Sequence, residues 1–490
     1  MRNAARPGVP ALSLPYAHVR RTRDGARRQR LRARTAIGVS LVLLLWPPLL
    51  AEIRAGAPAI GDEVRWLTAG DLAFRLVRER AGPAAWETAW DELELRTFGN
   101  LNPPLGKLLI GAVLAAAKRS PDPVDYRWDF LASPGENLAR GNAPPGELVL
   151  PVRVAISLCA IGTLVLVYLC AVKLTGAPWL SLAAPGLLFA SDAFRVHAVR
   201  IYTDLPQLCL LMAAVLAFGR FLVRGGWGAL VGALVLAGLS VGVKFSAAPL
   251  VAALGLLAVA MPGSVRLRLA RGALAAAVPW LVFVAVNPFL YPDPFGRTLW
   301  IVSTWDQVYR GLAESPLFAR QAVAGPWQGI GLVALRGALA PAFRPGAEWV
   351  FERALPALAA AAALAGWQRG RRSGLARGPG RARFLAFAGT GLAAALAGAA
   401  TGLSAWICPF ALGVVRTCVG GPAGRAPAPR ARFGAFLLAA LLASWLLTGL
   451  SLRLDWSRYY LRVLALVPIF CAAGLVALRE LARPDPGAPR

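Results

Sequence analysis

The sequence predicts an all-α polytopic membrane protein, a bundle of roughly 10–11 transmembrane helices with a large first extracytoplasmic loop that carries interfacial helices. Three observations predict it. The 490 residues are 57% hydrophobic, with a mean hydropathy of +0.55, more apolar side chain than a single soluble core uses. Apolar runs near twenty residues recur along the chain, each long enough at about 1.5 Å per residue to cross roughly 30 Å of hydrocarbon. The charges are also sorted: 53 basic and 25 acidic residues give a net charge of +28, and the arginines gather between apolar runs in the positive-inside pattern.

Residues 1–35 carry ten arginines against Asp24 alone. They show no apolar periodicity and read as a disordered, basic cytoplasmic tail, followed by a membrane domain over 36–490. The first span, about Ala36 to Leu50, is expected to be an uncleaved anchor with the N-terminus inside, because the basic region is long and no small-residue cleavage site follows. Residues 51–150 hold 14 of the 25 acids against 11 bases, which marks the first outer loop. Within it, Asp71 to Arg80 has mixed helical spacing. Pro103 to Lys118 contains an apolar stretch too short to span and suited to the interface, and Trp66, Trp86, Trp90 and Trp128 fit that depth.

Further spans are expected near 151–172, 178–191, 205–223, 226–243, 245–262 and 272–290. If each crosses once, Arg220, Arg224, Arg266, Arg268 and Arg271 fall on the side of the N-terminus. Residues 292–350 read as a second outer loop. A span near 351–367 then returns the chain to 369–383, with six arginines and no acid. The stretch 384–432 leaves the parity open, and spans near 433–452 and 459–478 close the chain. The expected location is the plasma (inner) membrane, multi-pass, with the N-terminus cytoplasmic.

Composition narrows the chemistry. The six cysteines show no Cys-x-x-Cys spacing and lie mostly in apolar runs, as small hydrophobes do. With His18 and His197 the only histidines, neither a histidine metal site nor a Ser-His-Asp triad is expected, so the catalyst should be a carboxylate. Arginines dispersed among membrane loops argue against nucleic acid as a partner. Only four of the 53 basic residues are lysine, so each lysine stands out against an arginine default.

Several groups of residues carry possible chemistry. Gly61-Asp62-Glu63-Val64-Arg65-Trp66 places two carboxylates about ten residues after the first span. They suit proton transfer in a partly dry cleft with Arg65 beside them, or an ordinary acidic loop. Asn102-Pro103-Pro104-Leu105-Gly106-Lys107 is a rigid turn that launches a helix. Arg200-Ile201-Tyr202-Thr203-Asp204 heads an apolar span, and Gly238 to Phe245 is a glycine-rich span that ends at Lys244. Ions at such depths are costly, which makes Asp204 and Lys244 site candidates, although Lys244 also suits a snorkelling anchor.

Taken together, Asp-Glu-Val after the first span and the downstream Pro-Pro-Leu-Gly-Lys resemble the polyprenyl-phosphate-mannose (dolichyl-phosphate-mannose-type) protein O-mannosyltransferases, of the GT-C glycosyltransferase superfamily. Arg200 with Asp204, and the glycine-rich span ending at Lys244, are similar to further family motifs. Asp455-Trp456-Ser457-Arg458-Tyr459-Tyr460 resembles the Arg-Tyr motif before the last span of related transferases. Asn102 and Arg65 stand where the family has histidines. The resemblance implies a GT-C-like bundle, a polyprenyl-phosphate-linked sugar as donor, mannose as the sugar, inversion at the anomeric carbon and no cofactor or obligatory metal. It implies that Asp62 is the base and Glu63 its catalytic companion, orienting Asp62 or the acceptor. It assigns Arg200, Asp204, Lys244, Asn102, Lys107, Arg458 and Tyr459 to substrate binding. The expected partners are the lipid bilayer, the lipid-linked sugar and a hydroxyl acceptor, protein Ser/Thr foremost. Two alternatives stay open: a transferase acting on a lipid or cell-wall polysaccharide, and a lipid-linked substrate transporter or flippase. Against the second, the ionisable residues cluster at span ends rather than mid-span.

Overall fold

The computed structural model describes residues 35–92, 96–117, 122–316, 318–336, 410–414 and 429–482. The basic tail before residue 35, the expected span near 351–367, the arginine-rich segment 369–383 and most of 384–432 lie outside the described residues.

Helix α1 (Thr35–Arg54) leads the chain. Four helices follow: α2 (Asp62–Arg78), α3 (Pro83–Glu92), α4 (Arg96–Leu101) and α5 (Pro104–Ala117). Next come α6 (Pro134–Ala139), α7 (Gly146–Thr175), α8 (Pro178–Ser181), α9 (Ala183–Ala190), α10 (Asp192–Val199), α11 (Asp204–Arg224) and α12 (Trp227–Val243). The later helices are α13 (Ala248–Ala260), α14 (Val265–Ala285), α15 (Pro294–Glu314), α16 (Pro326–Ala334), α17 (Pro429–Ser451) and α18 (Leu461–Ala482). Among the described residues the only β-type pairing is an isolated bridge between Ala322 and Leu454. By length and composition α1, α7, α11, α14 and α17 can each cross a membrane, and α5, α12 and α18 are shorter apolar helices.

The expected span at 178–191 is a broken one. Pro178–Ala190 is only 13 residues of apolar helix, short of the roughly 20 that a crossing needs. The chain breaks at Ser191, which is extended (φ −67°, ψ 129°), and resumes in α10. Together α8, α9 and α10 carry the chain from the Lys173 end of α7 back to its Arg153 end, so the direction of the following spans is preserved. Helix α14 starts earlier than its apolar run, because the Ser264 hydroxyl accepts the Leu267 amide at 3.3 Å and caps the helix ahead of its arginines.

The 51–150 segment folds back on the bundle as a layer of helices. Gly61 adopts φ 55°, ψ −120°, a region open to glycine alone. This reversal starts α2 with Asp62 and Glu63 in its first turn, where carboxylates favour the helix dipole. Helices α2 and α5 meet backbone to backbone: a Cβ on Gly111 would fall 2.1 Å from the Gly70 carbonyl oxygen. Residues 122–129 are pinned across α2, the Asp71 carboxylate accepting the Val124 amide at 3.0 Å and the Thr68 hydroxyl pairing with main-chain groups of Tyr126.

Candidate active site

Asp62 and Glu63 are adjacent in sequence and sit in opposite environments. Glu63 is fully buried and receives the Arg153 guanidinium as a fork, Nε to Oε1 at 3.0 Å and Nη2 to Oε2 at 2.9 Å. Arg200 adds a contact at 2.8 Å, and the Ile201 amide donates to Oε1 at 2.8 Å. Arg153 also donates to the Ala57 carbonyl at 2.7 Å. One carboxylate thus ties together the 57–63 turn, α7 and the entry to α11. Glu63 and Arg200, both expected at the site, pair with each other; Glu63 has no exposed surface, while the Arg200 side chain stays 25% exposed.

Asp62 points the other way. Its side chain is 27% exposed and pairs with Arg458 at 3.0 Å. Arg458 follows α17 in the 3-10 turn Ser457–Tyr459, and its guanidinium lies 4.5 Å from the Trp456 ring centre and 5.8 Å from that of Tyr202. An aromatic wall continues from there. Tyr309 meets Trp456 and Tyr459 edge to face at 5.9 and 6.1 Å, and Trp305 stacks on Tyr309 at 4.4 Å. The Trp305 indole donates to the Leu101 carbonyl at 3.0 Å, fixing α15 to the corner before α5. Burial disfavours the charge on Arg458, but Asp62 and Asp204 more than offset it, so its pKa rises above the ordinary arginine value. Burial pushes the Tyr202 and Tyr309 phenols up to about 12, so both keep their protons at neutral pH and can serve as hydrogen-bond donors.

Asp204 and Lys244 form a second, deeper pair at 2.7 Å, both almost fully buried. The Lys244 carbonyl accepts from the Gln207 amide at 2.7 Å, and the Ser240 hydroxyl donates to the Gln207 carbonyl, so this knot locks α11 to α12. The ammonium read from sequence as a phosphate ligand is therefore turned inward and paired. His197 packs near this knot with its ring centre 5.2 Å from that of Tyr202.

Lys107 departs furthest from its expected place. It is fully buried and donates to the Gly99 carbonyl at 2.5 Å and to the Asn102 carbonyl, with its ammonium 4.7 Å from the Trp90 ring centre. It holds the 99–102 turn onto α5, and Asn102 contributes to this through its main chain. What the motif does supply is proximity: a Cβ on Gly106 would lie 2.6 Å from Thr203 Cγ2 and 3.2 Å from Val243 Cγ1. The missing side chain lets the start of α5 press against the ends of α11 and α12. Arg65 lies 3.8 Å over the Phe130 ring, still near enough to Asp62 for that carboxylate to favour its charge.

The structure thus brings Asp62, Arg458 and Tyr459 together, with the Asp62–Arg458 pair partly exposed and the buried Asp204–Lys244 pair close enough for Asp204 to act on Arg458. Sequence reasoning missed Arg153, Trp305 and Tyr309. An arginine inside an apolar run is itself a signal, and Arg153 stands at the head of the expected 151–172 span.

Comparison with known proteins follows the same lines. The family model described as dolichyl-phosphate-mannose-protein mannosyltransferase matches residues 82–287, a stretch that includes Asn102, Lys107, Arg200, Asp204 and Lys244 and begins after Asp62. The match bears out the resemblance read from the motifs. Among solved structures, ArnT from Cupriavidus metallidurans in the apo state aligns at 13% identity and a TM-score of 0.42, over 91% of this chain and 60% of that one. No curated protein matches.

Proposed function

We propose that this protein transfers a sugar, mannose in the first instance, from a polyprenyl phosphate to a hydroxyl acceptor, with Ser or Thr of a protein as the acceptor class. The observation that carries the assignment of roles is the disposition of three carboxylates. Glu63 is enclosed by two arginines, Asp204 is buried on Lys244, and Asp62 alone of the three has a partly exposed side chain.

In this reading Arg458 receives the donor phosphate, which competes with Asp62 for the guanidinium and releases the carboxylate toward the acceptor. Asp62 takes the acceptor hydroxyl proton as the acceptor oxygen bonds to the anomeric carbon from the face opposite the phosphate. The bond from that carbon to the phosphate oxygen breaks, and polyprenyl phosphate leaves with the electron pair, its charge stabilised by Arg458. General-base assistance of this kind is worth typically about 10²–10⁴-fold. The aromatic wall of Tyr202, Tyr309, Trp456 and Tyr459 offers flat apolar faces with polar tips, suited to a sugar ring. Inversion and independence of metal belong to this proposal.

The test is reconstitution of the purified full chain with polyprenyl-phosphate-mannose and a Ser/Thr-rich peptide. Mannosylated peptide of configuration opposite to the donor's is expected, with turnover undiminished by chelator. Arg458→Gln should raise the donor KM and lower kcat together. Donor consumption that requires lipid or polysaccharide instead of peptide would reassign the acceptor, and transbilayer movement of intact donor without transfer would overturn the enzyme reading.

A further inference from the structure

At the end of the bundle away from Asp62, a cavity of about 800 Å³ opens between α1, α7 and α11, walled by residues such as Val42 and Leu169 and rimmed by Lys173, Arg220, Arg224 and Arg430. Among the described residues these cations have no acidic partner. The sequence places no Asp or Glu at 148–191, 205–292 or 353–454, and no ion pair among the described residues engages any of the four. Arg220, Arg224 and Arg430 are exposed. The Lys173 ammonium is buried without a hydrogen-bond partner and rests 4.5 Å from the Phe433 ring centre.

A solvated basic face explains three exposed arginines, but not a shielded ammonium beside an apolar hollow. Helix α1 flanks that hollow, and its Leu43 and Leu44 are 67% and 70% exposed on the side that faces lipid. An empty hollow of this size in hydrocarbon forfeits the dispersion contacts of its whole lining, and lipid is the material at hand to fill it.

We propose that the cavity holds an acidic phospholipid of the adjoining leaflet, its phosphate against Lys173 and the three arginines and an acyl chain along Val42 and Leu169, mortaring α1 to the bundle. The shape and the charge agree: four cations without an acidic partner among the described residues attract an anionic headgroup, and the apolar walls accommodate a chain that free phosphate lacks.

The experiment uses the purified full chain in phosphatidylcholine nanodiscs doped with increasing dioleoylphosphatidylglycerol, with Tm as the readout. Phosphatidylglycerol is expected to raise Tm saturably. Lys173→Met, Arg220→Gln and Arg224→Gln should each weaken the apparent affinity about fivefold, the equivalent of roughly 1 kcal/mol per cation. Gly38→Trp removes no charge. Gly38 lines the cavity, and a Cβ there meets no atom within 4 Å, so the indole can occupy the hollow. It should abolish the phosphatidylglycerol shift while leaving Tm in pure phosphatidylcholine at or above wild type. A full shift in Gly38→Trp, an undiminished shift in the triple cation variant, or the same shift from inorganic phosphate at equal concentration would overturn the proposal.

Discussion

Asp62 and Glu63 share a helical turn, a charge and a sequence motif, yet one is held by the fold and the other faces the cleft. Glu63 accepts from two arginines and a main-chain amide and is wholly enclosed. Asp62 pairs with Arg458 alone among the described residues, and its side chain is 27% exposed. The difference comes from the helix that carries them. Successive residues on α2 point about 100° apart, so one carboxylate faces α7 and the next faces the turn before α18. Adjacent acids in a motif are therefore not two copies of one role: the inward one organises the loop, and the outward one is left for chemistry.

This contrast breaks most visibly at Glu63. Glu63→Gln leaves Arg153 buried without its carboxylate, a loss of about 3–5 kcal/mol, which is a large share of ordinary stability. Folded, monodisperse protein on detergent gel filtration should fall severely, and wild-type yield and Tm would mean that the cluster does not hold the loop. Lys244→Met should act similarly, at roughly 3 kcal/mol, by stranding Asp204. Read from sequence as a phosphate ligand, Lys244 would be expected to lose turnover at unchanged abundance; the buried pair predicts that abundance falls too. Asp204→Asn added to Lys244→Met should restore most of the folded protein, because the two residues couple, and a double variant as unstable as the single would contradict the pairing. The smallest effect is steric. Gly106→Ala should cost about 1–3 kcal/mol by crowding Thr203, whereas Gly135→Ala, with nothing within 4 Å of its Cβ, should leave Tm within error of wild type.

The sequence was most legible where one physical rule dominated. Hydropathy located α1, α7, α11, α12 and α17 within a few residues, because apolar runs of that length have few other uses. It also marked 51–150 as a loop, since acids leave the arginine pattern there. The break between α9 and α10 was less visible, as a mostly apolar run hides an extended Ser191. Motifs pointed to the right neighbourhood: the segments around Asp62, Lys107, Asp204, Lys244 and Arg458 do converge. They did not distribute the roles within it. Lys107 reads as a ligand through the motif resemblance and Lys244 also because a lysine is unusual in this chain; in the structure Lys107 donates to main-chain carbonyls and Lys244 pairs with a carboxylate. Which way a charged side chain turns depends on packing against α7 and α12, far away in sequence, and Trp305 and Tyr309 lie on a helix whose local sequence carries no such signal.

The central claim is that Asp62 is the catalytic base while Glu63 and the Asp204–Lys244 pair only build its surroundings. Turnover per folded molecule of Asp62→Asn, measured with polyprenyl-phosphate-mannose and acceptor peptide alongside Tm, tests it most directly. The amide keeps the shape and can no longer take the acceptor proton, so turnover should fall about 10²–10⁴-fold with Tm within a few degrees of wild type. Wild-type turnover per folded Asp62→Asn molecule would contradict the claim and place the base elsewhere.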